Sequence, residues 1–382
     1  MRKFGLFLTF AIAVTALGPL GAPAADEIRI GALFDLTGPA AWLGVPERNT
    51  AQMIVDEINE AGGINGQMIR LIVEDTVGDN TNARNSLTRL VLQEDVLAVI
   101  GPSRSGTSMA VKEMASDYEV PLISCAAAED IVKPVNPWVF KTPQSDSDAV
   151  RAIYMDLNRE GIDEVAILTA ATGFGSAGRD QLRELAPEFG ITIISDQTYG
   201  AQDTDMTAQL TRIRETGAKA VINWSIVPAQ SIVLRNARQL GMDVLLYQSH
   251  GFGNIEYVRA AGAAANGVRF PAGRLLIADM LPEDHPQREV LVSYTEAYKE
   301  RFNEEASTFG GHAYDALWLV VNAIKEVGTD PEAIRAKIEN TTGFVGTGGI
   351  FNYSEEDHCG LDVTAFEMLT VRDGKFVPLY PE

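Results

Sequence analysis

The sequence predicts an α/β protein built as two doubly wound parallel-sheet lobes. Three observations carry that prediction. Apolar runs of strand length alternate with stretches whose apolar residues recur every three to four positions, so strands and amphipathic helices take turns. The rhythm runs once through the first 124 residues and starts again after Pro143. It breaks after Pro271, where helical stretches follow one another with little strand between them. At roughly 100–200 residues per domain, a chain of this length holds two such units.

Taken in order, residues 27–34 (EIRIGALF) read as a strand, followed by a Gly/Pro loop over 35–44. Across 47–61, Ala51, Ile54, Val55 and Ile58 fall at i, i+3, i+4 and i+7, one face of a helix, and Gly62-Gly63 ends it. Residues 70–73 form a strand, 80–93 a helix, 96–100 (VLAVI) a buried strand, 105–118 a helix and 120–123 a short strand. The second run places strands at 165–169, 191–195, 220–224 and 245–248, with helices near 176–188, 205–216 and 229–240. Helices at 286–304, 310–327 and 331–340 cannot build a third sheet and are expected to pack back on the first unit. Short strands at 363–371 and 375–379 close the chain. A chain that returns to its first unit after making the second crosses between lobes more than once. That leaves a cleft between lobes able to open and close.

The first residues do not belong to this pattern. Arg2 and Lys3 precede an apolar run over 4–17, and Ala22-Pro23-Ala24 supplies an A-x-A cleavage site. The run is short of the ~20 residues a membrane span needs. A secretory leader over 1–24 is expected, with export to the periplasm and no membrane span in the mature chain. Losing Arg2 and Lys3 takes the formal charge from -21 to -23, which excludes nucleic acid as a partner. Cys125 and Cys359 are too few for a disulfide framework and read as small buried residues.

Two loops carry possible chemistry. Gly173-Phe174-Gly175-Ser176-Ala177-Gly178 matches G-x-G-x-x-G between a strand and a helix, with Asp196 after the next strand where a ribose-binding acid would stand. The alternative is a glycine-rich cleft loop that sets Phe174 at the sheet edge, and no residue set offers the acid or base of a hydride transfer. An exported NAD-dependent oxidoreductase is therefore the distant alternative. Gly101-Pro102-Ser103-Arg104-Ser105-Gly106-Thr107 leads from a strand into a helix, where first-turn amides and hydroxyls suit an anion. It lacks the second glycine of a nucleophile elbow. His250, His285, His312 and His358 fit no metal-ligand spacing. Of these only His250 stands in a strand-end loop, and the other three read as surface or core residues.

Read together, IRIGALFDLTGPAAWLG (28–44), INEAGGINGQMIRLIVED (58–75), AVIGPSRSG (98–106) and VPLIS (120–124) resemble the periplasmic receptors for branched-chain amino acids. The likeness continues through GFGSAG (173–178), YQSHGFGN (247–254), TFGGHAYDAL (308–317) and GFVGTGGIFN (343–352), and so spans the mature chain. It implies a non-enzymatic substrate-binding protein of an ABC importer, with no cofactor or metal. Two lobes joined by three crossovers would close on one small molecule, and the closed form would meet permease and ATPase subunits in the inner membrane. The implied division is 25–143 with 274–353 for the first lobe, and 144–273 with 354–382 for the second. A sensory partner in place of the importer would use the same binding physics.

The resemblance also implies a site. Ser105 and the backbone from Ala126 to Ala128 would fix a ligand carboxylate. Trp42 and Leu43 in the first loop, Phe174, Ile226 and Phe309 would wall the pocket. Arg104 would add charge or face solvent. Two positions depart from the family pattern: a threonine and a glutamate hold the amino group in amino-acid receptors, and here Ala128 and His250 stand in their places. A buried ammonium without a carboxylate costs several kcal/mol, about more than one or two neutral hydrogen bonds return. The expected ligand is therefore an apolar or aromatic carboxylate lacking an α-amino group, with branched-chain amino acids as the alternative if Asp279 or Asp315 reaches the amine.

Overall fold

The computed structural model describes residues 27–381, and the expected leader over 1–24 lies outside them. The first sheet grows from β1 (Ile28–Phe34), β2 (Ile69–Asp75), β3 (Ala98–Ile100), β4 (Leu122–Ser124) and β5 (Val139–Lys141), interleaved with α1 (Ala41–Glu60), α2 (Asn80–Leu92) and α3 (Ser105–Asp117). Its order is β2-β1-β3-β4-β5, and every pair is parallel. The second unit runs α4 (Asp146–Arg159), β6 (Glu164–Ala170), α5 (Gly173–Leu185), β7 (Thr192–Tyr199), α6 (Thr207–Thr216), β8 (Ala220–Trp224), α7 (Ala229–Gln239), β9 (Leu245–Gln248), α8 (Ile255–Ala261) and β10 (Arg269–Ala272). Its parallel part, β7-β6-β8-β9-β10, repeats the order of the first sheet. The chain then returns through α9 (Arg288–Phe302), α10 (Thr308–Val327), α11 (Pro331–Glu339) and the hairpin β11 (Thr342–Val345) with β12 (Ile350–Asn352). Finally β13 (Glu367–Arg372) and β14 (Lys375–Pro378) add antiparallel strands to the second sheet.

The α/β reading with two parallel sheets therefore holds, and the chain passes between them three times. The passages leave β5, leave β10, and return between β12 and β13. The returning helices sit where their periodicity sends them. The buried face of α10 joins the first core through Ala313, Ala316, Leu317 and Val320, while Leu291, Tyr294 and Tyr298 of α9 pack on Met53 of α1. Residues 354–361, expected with the second lobe, pack instead into the first core through Cys359 and Leu361.

Two local expectations change. The loop expected over 35–44 is already helical from Ala41, so Trp42 and Leu43 lie in the first turn of α1. Pro46 sits inside that helix. Its missing N–H leaves the Trp42 carbonyl without its helical partner, and Asn254 Nδ2 from the second lobe donates to it at 3.2 Å. Phe174 likewise stands in the first turn of α5, not in a loop, with Thr172 Oγ1 capping the helix by accepting from Gly175 N at 3.1 Å. In a doubly wound sheet the crevice opens where neighbouring strands send their connections to opposite faces. These points lie between β1 and β3 in one lobe and between β6 and β8 in the other, so the loops after those strands confront each other.

Candidate ligand-binding cleft

On the first side, β3 runs into α3 through a turn in which Arg104 is the N-cap and gives no side-chain cap. The first-turn amides of α3 thus depend on outside partners. Ser105 Oγ accepts from Ala128 N at 3.3 Å, and Ser124 Oγ accepts from Ala126 N at 3.1 Å while bonding Ser108 Oγ at 2.7 Å. These hydroxyls stitch the 124–128 loop to the helix. In this arrangement they also occupy the two amides expected to meet a carboxylate directly. Ser103 accepts from Asp35 N at 3.1 Å and donates to the buried Glu47 carboxyl, which burial pushes well above its usual range.

Behind this loop lies Lys141, the last residue of β5 and fully buried. Its Nζ donates to the carbonyls of Ala127 at 2.9 Å and Pro143 at 3.0 Å. No carboxylate stands within ion-pair distance of it among the described residues. Its charge is felt around the cleft. Burial and then the Lys141 cation hold His250 far below the usual imidazole range, and the same two causes press His312 down to about 3. Both rings are therefore neutral at pH 7.

The second side is aromatic. Phe174 rests 5.7 Å from the Trp224 ring and 5.3 Å from His250, which also meets Trp224 and Phe366 edge-on at 5.6 Å. Ile226 follows β8, its carbonyl fixed by Tyr257 Oη at 2.7 Å. The lobes are closed on each other, since Leu43, Ala127 and Phe309 from the first lobe pack into the second core. Between them lies a small void of about 20 Å³.

Leu43, Ser105, Ala126, Phe174, Ile226, His250 and Phe309, all expected at the site, line that void together. Ala127, His312, Ser103 and Cys125 join them. Three expected residues stand elsewhere. Trp42 packs on Tyr257 at 5.2 Å at the outer contact between lobes, because the first turn of α1 faces its ring away from the void. Arg104 turns toward Asp35, 3.9 Å away, and the Gly78 carbonyl. Ala128 is buried behind Ser105. Sequence reasoning left His312 among surface or core residues and did not single out Lys141 or Asp146. No spacing flags them, although a lysine ending the apolar run Trp138-Val139-Phe140 is an anomaly that burial alone explains.

The glycine motif has a packing role. A Cβ on Gly175 would sit 1.9 Å from the Ala170 carbonyl oxygen, and one on Gly178 2.0 Å from Trp224 Nε1. One on Gly173 would sit 2.8 Å from the Gly106 backbone across the cleft. Protein thus fills the space where a pyrophosphate would approach, and Asp196 answers Arg179 and Arg183. The acids expected to reach an amine are also committed elsewhere. Asp315 accepts from Thr347 N at 2.6 Å and Gly348 N at 2.8 Å, and Asp279 is exposed.

With two lobes of one strand order closed over a small void, the comparison that decides the family is a sequence profile described as periplasmic binding protein, which matches residues 27–374. The chain belongs to the periplasmic binding protein family. A leucine-, isoleucine-, valine-, threonine- and alanine-binding protein of Pseudomonas aeruginosa is 26% identical over 369 residues, 96% of this chain and 95% of that one. Among solved structures, an extracellular ligand-binding receptor from Rhodopseudomonas palustris HaA2 is 27% identical with a TM-score of 0.87, covering 93% of this chain and all 100% of that one. The Streptococcus pneumoniae substrate-binding protein LivJ, solved with isoleucine, is 28% identical with a TM-score of 0.80, covering 92% and 98%. No helix of this periplasmic binding protein, among the described residues, is long and apolar enough to cross a membrane.

Proposed function

We propose that this periplasmic binding protein, a substrate-binding receptor of an ABC importer, takes a small apolar or aromatic carboxylate that carries no α-amino group. It works in the periplasm beside permease and ATPase subunits and performs no covalent chemistry. One observation carries the ligand class. Among the described residues no acidic side chain lines the void, while the buried Lys141 cation lies directly behind it. A ligand ammonium would find no acidic side chain on the wall, whereas a ligand carboxylate would meet Ser105 and the first-turn amides of α3, with the Lys141 cation behind them. Phe174, Ile226 and Phe309 then offer an apolar body its walls. Because those walls come from both lobes, the contacts are complete only on closure, which couples affinity to the closed state.

A thermal-shift and calorimetric series on the mature protein tests this, with benzoate, cinnamate and 3-phenylpropionate against leucine and valine. Stabilisation by an acid and none by the amino acids is expected. Ser105→Ala should weaken that acid about tenfold, the worth of one charge-assisted hydrogen bond. The names of the relatives favour a second reading, an aliphatic amino-acid receptor. Stabilisation by leucine alone would establish that reading in place of ours.

A further inference from the structure

His250 is buried with neither ring nitrogen hydrogen-bonded, and it lines the void. Behind it, at the start of α4, Asp146 is fully buried and both of its carboxylate oxygens lack a partner. His250 Nε2 and Asp146 Oδ1 stand 3.8 Å apart. That gap exceeds hydrogen-bond length, but each atom has only the other to answer it. Unmade hydrogen bonds of this kind, on two side chains at one spot, are costly enough to need a reason. Phe174, Trp224 and Phe366 box the ring edge-on, and no hydrogen bond reaches either nitrogen.

We propose that Asp146 is a positioning residue whose carboxylate faces the His250 Nε2–H as its acceptor and so leaves Nδ1 as a pure acceptor, selecting ligands that bear a hydroxyl besides their carboxylate. A neutral imidazole has one donor and one acceptor nitrogen, and the group facing the donor decides which is which. With an ionised carboxylate on the Nε2 side, the form Asp146 takes above the value of about 7 to which burial raises it, the tautomer is fixed and Nδ1 accepts a hydrogen bond only. A ligand O–H satisfies it, while a keto oxygen or a second carboxylate is repelled. Burial and the nearby Lys141 charge keep the ring neutral, so that acceptor persists at pH 8, where Asp146 is ionised. This selectivity rests on the carboxylate reading above.

Calorimetry at pH 8 on the mature protein with matched acids tests it: cinnamate against 4-hydroxycinnamate, benzoate against 3- and 4-hydroxybenzoate, and 4-methylpentanoate against 2-hydroxy-4-methylpentanoate. At least one hydroxylated acid should bind about tenfold tighter than its parent, the size of one buried neutral hydrogen bond. His250→Phe, which suits the aromatic box, should bring that ratio to about one by weakening the hydroxylated acid more than its parent. Asp146→Asn should shrink it too, because an amide can present either an oxygen or an NH2 to Nε2. In 15N-histidine NMR spectra of the unliganded protein, Nδ1 should be unprotonated in the wild type and lose that signature in Asp146→Asn. Equal binding within every pair, or a preference that survives His250→Phe, overturns the proposal and leaves the carboxylate reading standing. Binding of leucine with no acid of any pair overturns both.

Discussion

The two lobes share a strand order and meet at equivalent points, yet they do different work at the cleft. The first contributes hydroxyls, amides and a buried cation, all held by bonds within its own loops: Ser105 to Ala128, Ser124 to Ala126, Lys141 to Ala127 and Pro143. The second contributes rings and a branched chain, Phe174, Ile226 and His250, held by packing against Trp224 and Phe366. Polar anchors need fixed geometry before a ligand arrives, and intralobe hydrogen bonds supply it. Apolar walls add their stabilisation only when water is expelled, which happens on closure. In the function we propose, one topology serves as both dock and lid, with the division written in side chains alone.

Breaking the dock should cost most. Lys141→Met removes the cation behind the loop, and affinity for the proposed carboxylate ligand should fall by about a hundredfold, as for a buried charge interaction worth about 3 kcal/mol. Calorimetry reads this directly, and unchanged affinity would show that the first lobe works through neutral donors only. The seam between lobes comes next. Gly173→Ala sets a methyl 2.8 Å from the Gly106 backbone, so closure should weaken and affinity drop about tenfold, with overpacking of about 1–3 kcal/mol felt in the closed form only. An unchanged melting temperature without ligand would separate this from damage to the fold.

A third prediction concerns pH. Burial, opposed by Lys141, raises Asp146 from an ordinary carboxylate value to about 7. The folded protein then holds that proton more tightly than the unfolded chain, so this group's contribution falls as pH climbs from about 4 through about 7. Asp146→Asn should therefore raise Tm progressively more from pH 5 to pH 8, by at most about 1.4 kcal/mol per pH unit within that window. A gain that shrinks with pH would contradict a carboxyl raised to about 7. The smallest effect is expected at the rim, where Asn254→Ala removes the bond to the Trp42 carbonyl. Water can replace this part-buried bond, so the loss in affinity should stay near twofold to fivefold.

Most strands and helices were legible because each carries its own period. The 96–100, 220–224 and 245–248 strands and the long returning helices have apolar patterns that no loop imitates. The elements missed were β5, α4, α8, β10 and the hairpin strands β11 and β12. The four strands are three or four residues long and α8 is seven, too short for any period to register. The helix α4 follows Ser145 and begins Asp-Ser-Asp, which read as part of a connection. The start of α1 was missed because Gly38, Pro39 and Pro46 signal a loop, while the foreign donor Asn254 makes a helical turn there tolerable. Ser105, Phe174, Ile226 and Phe309 were legible through a motif set, whereas Lys141, Asp146 and His312 belong to no motif.

By itself the sequence determined the alternation of elements and their return to the first lobe, because these are properties of local period and residue type. Only the tertiary structure decided which polar atoms share one dry space. Arg104 lies one residue from Ser105 yet turns to Asp35, while Lys141 and Asp146, five positions apart around a lobe crossing, both lie behind the pocket. Charge and hydrogen-bonding need are carried by each residue, but the field at a cleft is set by where the chain brings them and how thoroughly it excludes water.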